Sequence, residues 1–392
     1  MSKQINTTQL IEVIRATIHS EKPFVALHEP VFQGREKEFV VDCLETGWVS
    51  SVGKYVDLFE QMLAEYTGSV RAVAVVNGTA ALHIGLLISG VRPGDEVICP
   101  SLSFVATTNA ITYCGAVPHF VDVDEITLGI DPKKLDSYLS EIVRIEGKRP
   151  YNKVTGRPIS AVVPMHTFGH PVRLEKLMEV CSKYGLELIE DAAESLGSFY
   201  KGKHTGTFGK VSAMSFNGNK IMTTGGGGAI LVQDEVLGKL AKHITTTAKV
   251  PHRWEFIHDQ VGYNYRLPNI NAALGCAQME QLPYFLERKR SLADQYRKNL
   301  QLVDGITFFT EPPECKSNYW LNTIILNDET QDERDHVLEQ LNDHGLMSRP
   351  AWTLLHKLVM YQECPRMELI ASEKLSKRMI NIPSSSFLGG LE

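Results

Sequence analysis

The 392 residues contain no apolar run long enough to cross a bilayer, which takes about 20 consecutive residues. The opening, MSKQINTTQLIEVIRATIHSEKP, has neither a continuous apolar core nor a small-residue cleavage site, and its periodicity is that of an amphipathic helix. No membrane partner is expected, and a cytoplasmic location is. The seven cysteines are odd in number, widely scattered and never spaced as CxxC. That excludes a disulfide framework, argues against a metal site and suits a reduced compartment. Net charge is −6 with no basic run, so nucleic acid is excluded as a partner. There is no GxGxxG at the first strand-to-helix turn and no GK[ST], which argues against a nicotinamide dehydrogenase and a nucleotide P-loop. Internal repeats and low-complexity linkers are also missing.

What is present is the composition of a globular protein, 43% hydrophobic and 22% charged, in a chain long enough for a large α/β domain and a smaller one. Its centre is residues 215–228, SFNGNKIMTTGGGG. One lysine, Lys220, follows the apolar run VSAMSF and precedes four consecutive glycines. A lysine at a strand end beside crowded, flexible backbone can capture a carbonyl once partly deprotonated. By itself it would read as a surface lysine in a turn. A second stretch, LELIEDAAESLGS, changes that reading, because an apolar strand ends at Glu190 and Asp191. A buried acid for a pyridinium nitrogen and a lysine for a Schiff base are the pair that pyridoxal phosphate chemistry requires.

After the first helix, PFVALHEPVF reads as an extended arm, GREKEFVVDCLETG as a helix ended by Gly47, and WVSSVG, with Trp48 and Ser51, as a loop that lines a pocket or simply packs. The next helix, KYVDLFEQMLAEYTG, ends at Gly68. In RAVAVVNGTAALHIGLLISG a strand runs into Asn77, Gly78 and Thr79 and then a helical pattern. Free amides at a helix start bind phosphate, Gly78 admits close backbone approach and Thr79 adds a hydroxyl, although Thr79 serves equally as a plain cap.

Strands then alternate with helices through EVICPS, VPHFVDVD, AVVPMH and LELIEDA, with helices expected near residues 104–113, 133–143 and 174–184. That rhythm predicts a mostly parallel sheet covered on both faces, with ligands at the carboxyl ends of its strands. Gly78 and Thr79, residues 101–104, His166, Asp191 and Ser215 all fall at such ends. Phe104 can stack on a flat ring or sit in the core. A second, smaller α+β domain is placed at residues 250–392, after an arm and large domain at 1–249; it has a long helix to about residue 300, strands at ITFFT and NYWLNTIIL, and helices at 333–344 and near residue 372.

The motifs NGTAAL, SFVATTNAI, DAAESLG, SFNGNK with TTGGGG, and GYNYRLPNINAALG stand in this order, and with them nearly the whole chain resembles the pyridoxal-phosphate-dependent sugar aminotransferases called the DegT/DnrJ/EryC1/StrS family. The resemblance implies the fold-type-I, aspartate aminotransferase-like fold. It also implies that Lys220 bonds the cofactor aldehyde, Asp191 pairs with the pyridine nitrogen and Glu194 lies near the ring hydroxyl. Gly78, Thr79 and Ser215 would hold the phosphate, Phe104 would stack on the ring, and Asn264 would reach the neighbouring subunit's phosphate, making a homodimer obligatory. L-glutamate would be the donor and a nucleotide-linked keto sugar the acceptor, with pyridoxamine phosphate between them. Two departures stand out: Glu194 where many members carry Gln, and Asn217 where His or Tyr is more widespread. With PMHTFGHP and GWVSSVGKYV, the Asn217 variant is similar to the branch that aminates C4 of UDP-linked 2-acetamido-2,6-dideoxy-4-ketohexoses on the bacillosamine and legionaminic acid routes. Candidate substrate contacts are Trp48, Ser51, His166, Arg349 and His356, although Arg349 could be an ion-pair partner and His166 a bonded core histidine. Rival readings are a 3-aminotransferase of a dTDP-linked keto sugar, a sugar dehydratase, which would place His at position 220, and a non-catalytic regulator, which would lose Lys220 or Asp191.

Overall fold

The computed structural model describes residues 5–147, 149–327 and 330–390. Its largest unit is a seven-stranded sheet in the order Arg71–Val75, Gly228–Val232, Val211–Ser215, Glu187–Asp191, Ile159–Val162, Glu96–Pro100, Val117–Val121. Gly228–Val232 runs antiparallel to both neighbours, and the other pairings are parallel. Strands buried on both faces have to be apolar on both, as Glu96–Pro100 and Gly228–Val232 nearly are.

Alternation along the strands feeds two cores. Val73, Val75, Ala213, Ile230 and Val232 face one side with the helices Gly78–Ile88, Val105–Tyr113 and Glu235–Thr245. Ala72, Ala74, Met214, Ala229 and Leu231 face the other, under Glu36–Thr46, Lys54–Thr67 and the first half of Asn269–Asn299. Farther along that second face lie Pro132–Ile142 and Leu174–Tyr184. The helices begin where the chemistry says they should. Asp131 caps Pro132–Ile142 by accepting from the amides of Lys133 and Lys134, and Asn77 caps Gly78–Ile88 by accepting from that of Ala80.

A four-stranded antiparallel sheet, ordered Ile306–Phe308, Asn322–Leu326, Met379–Ile382, Arg349–Pro350, forms the smaller layer. Its core takes Leu10, Ile14 and Ile18 from the amino-terminal helix Thr7–Ile18, and Leu292 and Tyr296 from the end of the long helix. The cores therefore do not divide at residue 250. The amino-terminal helix packs with the smaller sheet, and the Asn269–Asn299 helix is shared, because its 31 residues outrun the large sheet's core.

Candidate active site

Six of the seven large-sheet strands run the same way, so the residues just past their carboxyl ends meet along one edge. There a cavity of about 350 Å³ is lined by Gly78, Thr79, Phe104, Met165, Asp191, Glu194, Ser215, Lys220, Trp320 and Trp352, among others.

One end of the cavity is backbone. The Asn77 carboxamide takes the Ala80 amide at 2.8 Å, and the Asn77 carbonyl takes that of Ala81 at 3.2 Å. The amides of Gly78 and Thr79 have no acceptor among the described residues, and they lie at the positive end of an 11-residue helix. Ser215 flanks them. A Cβ on Gly78 would come within 2.9 Å of the Ser215 Cβ, and one on Gly228 within 2.5 Å of the Asn77 carbonyl carbon. Both glycines are thus required by close approach, and the three strand ends they join make an anion cradle.

The floor is acidic. Asp191 is buried, and Thr107 donates its hydroxyl to Asp191 Oδ2 at 2.7 Å. Ser103 Oγ lies 2.8 Å from Thr107 Oγ1. Burial pushes the Asp191 carboxyl above its ordinary range, although Thr107 and the Ala193 amide oppose the shift.

Lys220 stands opposite. Its Nζ is 3.0 Å from Glu194 Oε1 and lies over the Trp320 ring, 3.9 Å from the centroid. Glu194 also accepts the Phe168 amide at 2.9 Å, from a residue held at a positive φ of 56°. Burial pushes the Glu194 carboxyl up to about 7, and the nearby Lys220 ammonium moderates the rise. Trp320 is fixed in turn by a short turn: Asn318 Oδ1 accepts its amide at 2.8 Å, and the Asn318 side-chain amide donates to the carbonyls of Glu194 and Leu196. The indole Nε1 donates to the Asn219 carbonyl at 2.7 Å.

Gly78, Thr79, Phe104, Asp191, Glu194, Ser215 and Lys220, marked in the sequence as cofactor contacts, thus line one cavity. Asn264 does not line it in its own chain; it is exposed and accepts from Arg266 Nε at 3.0 Å. None of the substrate candidates lines this cavity. His166 is fully buried, with Nε2 3.0 Å from Glu190 Oε2 and Nδ1 accepting the Val172 amide, so it is a core histidine. Glu190 is a structural counterpart: against burial, which would raise it, His166 and the amides of Gly206 and Gly209 hold its carboxyl below the ordinary range. His356 is buried too, with Nδ1 2.7 Å from Ser101 Oγ and Nε2 3.4 Å from Glu373. Trp48 and Ser51 belong to a loop wound around Asn269, whose side chain donates to the Trp48 carbonyl and accepts the Tyr55 amide. Arg349 is exposed on its short strand, outside the lining. Sequence reasoning passed over Thr107, Trp320 and Trp352. Thr107 stood inside a quoted motif and Trp320 inside an expected strand, so only the folded chain shows what they face.

The model of the DegT/DnrJ/EryC1/StrS aminotransferase family matches residues 31–390. The chain belongs to this family. A GDP-perosamine synthase of Escherichia coli O157:H7 is 38% identical over 92% of this chain and 93% of its own. Among solved structures, the aminotransferase TlmJ of Streptoalloteichus hindustanus superposes with a TM-score of 0.82 at 28% identity, over 93% of each chain. PseC of Helicobacter pylori, an aminotransferase involved in the biosynthesis of pseudoaminic acid, gives 0.82 at 25% identity, over 92% of this chain and 93% of that one.

Family and fold make this a pyridoxal-phosphate-dependent sugar aminotransferase of fold type I, as expected from the sequence. The cavity fits the cofactor on its own terms. Helix-start amides with no acceptor among the described residues suit a phosphate, a buried carboxyl lies below, and a lysine amine reaches in beside an aromatic face. Among the described residues no cluster of His, Cys, Asp and Glu could hold a metal, and no helix is long and apolar enough to cross a membrane.

Proposed function

We propose that the chain moves an amino group from L-glutamate to C4 of a nucleotide-linked 4-keto-6-deoxy sugar, within a cytoplasmic homodimer whose partner supplies Asn264, for surface polysaccharide or glycan synthesis. The carrying observation is that Lys220, Asp191 and the Gly78 to Thr79 amides converge on one cavity. When bound, pyridoxal phosphate supplies an aldehyde for the amine and a ring that takes up carbanion charge. Gly78, Thr79 and Ser215 would hold its phosphate, Phe104 would cover the ring and Asp191 would keep the proton on the pyridine nitrogen. Lys220 Nζ would hold the aldehyde and, freed by the donor's amine, would act as the base that takes the proton from the donor's Cα and as the acid that delivers one to C4 of the sugar. Glu194 Oε1, 3.0 Å from Nζ, exchanges protons with it.

Two nucleotides compete. SFNGNK, PMHTFGHP and GWVSSVGKYV favour UDP and a 2-acetamido-2,6-dideoxy-4-ketohexose, whereas the relative that is 38% identical is named for GDP-perosamine. The visible spectrum of the purified protein separates them. With pyridoxal phosphate it should show an absorption band that bleaches with L-glutamate and returns with the correct keto sugar. Return with the UDP sugar alone supports the motif reading, and return with the GDP sugar alone replaces it. A band that glutamate bleaches but no 4-keto sugar restores removes the C4 assignment.

A further inference from the structure

Lys289 lies about two-thirds of the way along the Asn269–Asn299 helix with no solvent exposure and, among the described residues, no carboxylate in ion-pair range. Its Nζ donates to two backbone oxygens, of Trp320 at 3.0 Å and Ser384 at 2.5 Å. Burial pushes the amine well below its ordinary pKa. A methionine would fill the same space without the cost of burying an amine. The position is explained by what the Trp320 carbonyl belongs to. Trp320 donates from its indole to the Asn219 carbonyl at 2.7 Å, and its face lies 3.9 Å from Lys220 Nζ. Asn219 is the residue before Lys220, so one indole fixes both the backbone that carries the active lysine and the end of its side chain. Ser384, the other acceptor, takes the Asn322 amide on its hydroxyl at 2.8 Å and donates its own amide to Leu27 at 2.7 Å. Lys289 thus ties the Trp320 turn to a segment already anchored in the smaller layer.

The geometry points to Lys289 as a positioning residue for Lys220, acting through Trp320: its amine pins the Trp320 carbonyl to Ser384 and so holds the indole against Lys220 Nζ and the Asn219 carbonyl. This goes beyond the proposed function and depends on neither the amino donor nor the sugar.

The test is a double-mutant cycle on the full chain, freed of cofactor and mixed with pyridoxal phosphate, reading the growth of the absorption band. Borohydride reduction and peptide mapping assign the bond to Lys220. Lys289→Met and Trp320→Phe should each slow capture about tenfold, and the double variant should be slower than the slower single by less than about twofold, because the two lie on one path. A merely structural lysine would lower the melting temperature and leave the capture rate of the folded variant at the wild-type value. That result, or a double variant as slow as the product of the singles, overturns the inference. Should Lys289→Met fail to fold, Lys289→Gln, which keeps a donor for the Trp320 carbonyl, is carried through the same cycle. It should slow capture less than about tenfold and still combine with Trp320→Phe in less than additive fashion.

Discussion

Replacing Glu194 by Gln removes a buried carboxyl that folding makes harder to ionise. Its pKa rises from 4.5 to about 7, with burial as the leading cause and the Lys220 ammonium working against it. Between those values the native state binds more protons than the unfolded chain, so stability falls as pH rises. The cost starts near pH 4.5, is complete above about 7 and amounts to about 3 kcal/mol at about 1.4 kcal/mol per unit. Most of it falls between pH 5 and pH 8. Gln keeps an acceptor for the Phe168 amide and carries no titrating proton. Urea unfolding of the cofactor-free proteins at pH 5 and pH 8 reads this difference, with Lys220 and Asp191 the charged groups coupled to Glu194. Relative to wild type, Glu194→Gln should gain about 2 to 3 kcal/mol on going from pH 5 to pH 8. A gain under about 1 kcal/mol would show that Glu194 ionises near its ordinary pKa, and the reading of it as Lys220's proton-exchange partner near neutrality would fail.

Lys220→Ala should keep the wild-type fold by circular dichroism and lose transamination; turnover by the soluble variant would remove Lys220 as the base. Gly78→Ala places a methyl 2.9 Å from the Ser215 Cβ in the anion cradle. It should weaken pyridoxal phosphate binding at least about tenfold in a spectral titration, and wild-type affinity would refute the cradle. Thr107→Val removes the 2.7 Å hydrogen bond to Asp191 and should slow the glutamate half-reaction about tenfold, with Thr107→Ser restoring most of it; equal rates in Val and Ser would refute a role for the hydroxyl. His170, buried between Phe309 and Tyr319 with no partner for either ring nitrogen among the described residues, has its pKa pushed down to about 3 by burial. The unfolded chain takes up that proton first, so stability falls as pH drops below about 6.5. His170→Phe should therefore spare about 3 kcal/mol of the loss between pH 7 and pH 4, and parallel urea-unfolding curves would contradict it.

Elements whose signal is local were legible before the fold was known. The strand-turn-helix at Val75 to Gly78, the helix Pro132–Ile142, expected near residues 133–143, and the helix Leu174–Tyr184 are set by near-neighbour chemistry, so period and turn residues locate them. The same holds for the residues that line the cavity at the strand ends, because parallel strands carry whatever follows their carboxyl ends to one edge. Lys220, Asp191, Ser215 and Gly78 therefore had to meet once the strand and helix rhythm was read. His166 obeyed that rule too and misled, since a strand end says where a residue starts and not which way its ring turns; it turns inward to Glu190. Tertiary structure alone decided what reaches the site from distant sequence. Trp320 lies 100 residues past Lys220 and Thr107 lies 84 before Asp191, and neither spacing has a period that a helix or strand imposes. The amino-terminal helix joined the smaller sheet for the same reason. Local sequence specifies an amphipathic face, and the choice of core to bury it belongs to the packed molecule.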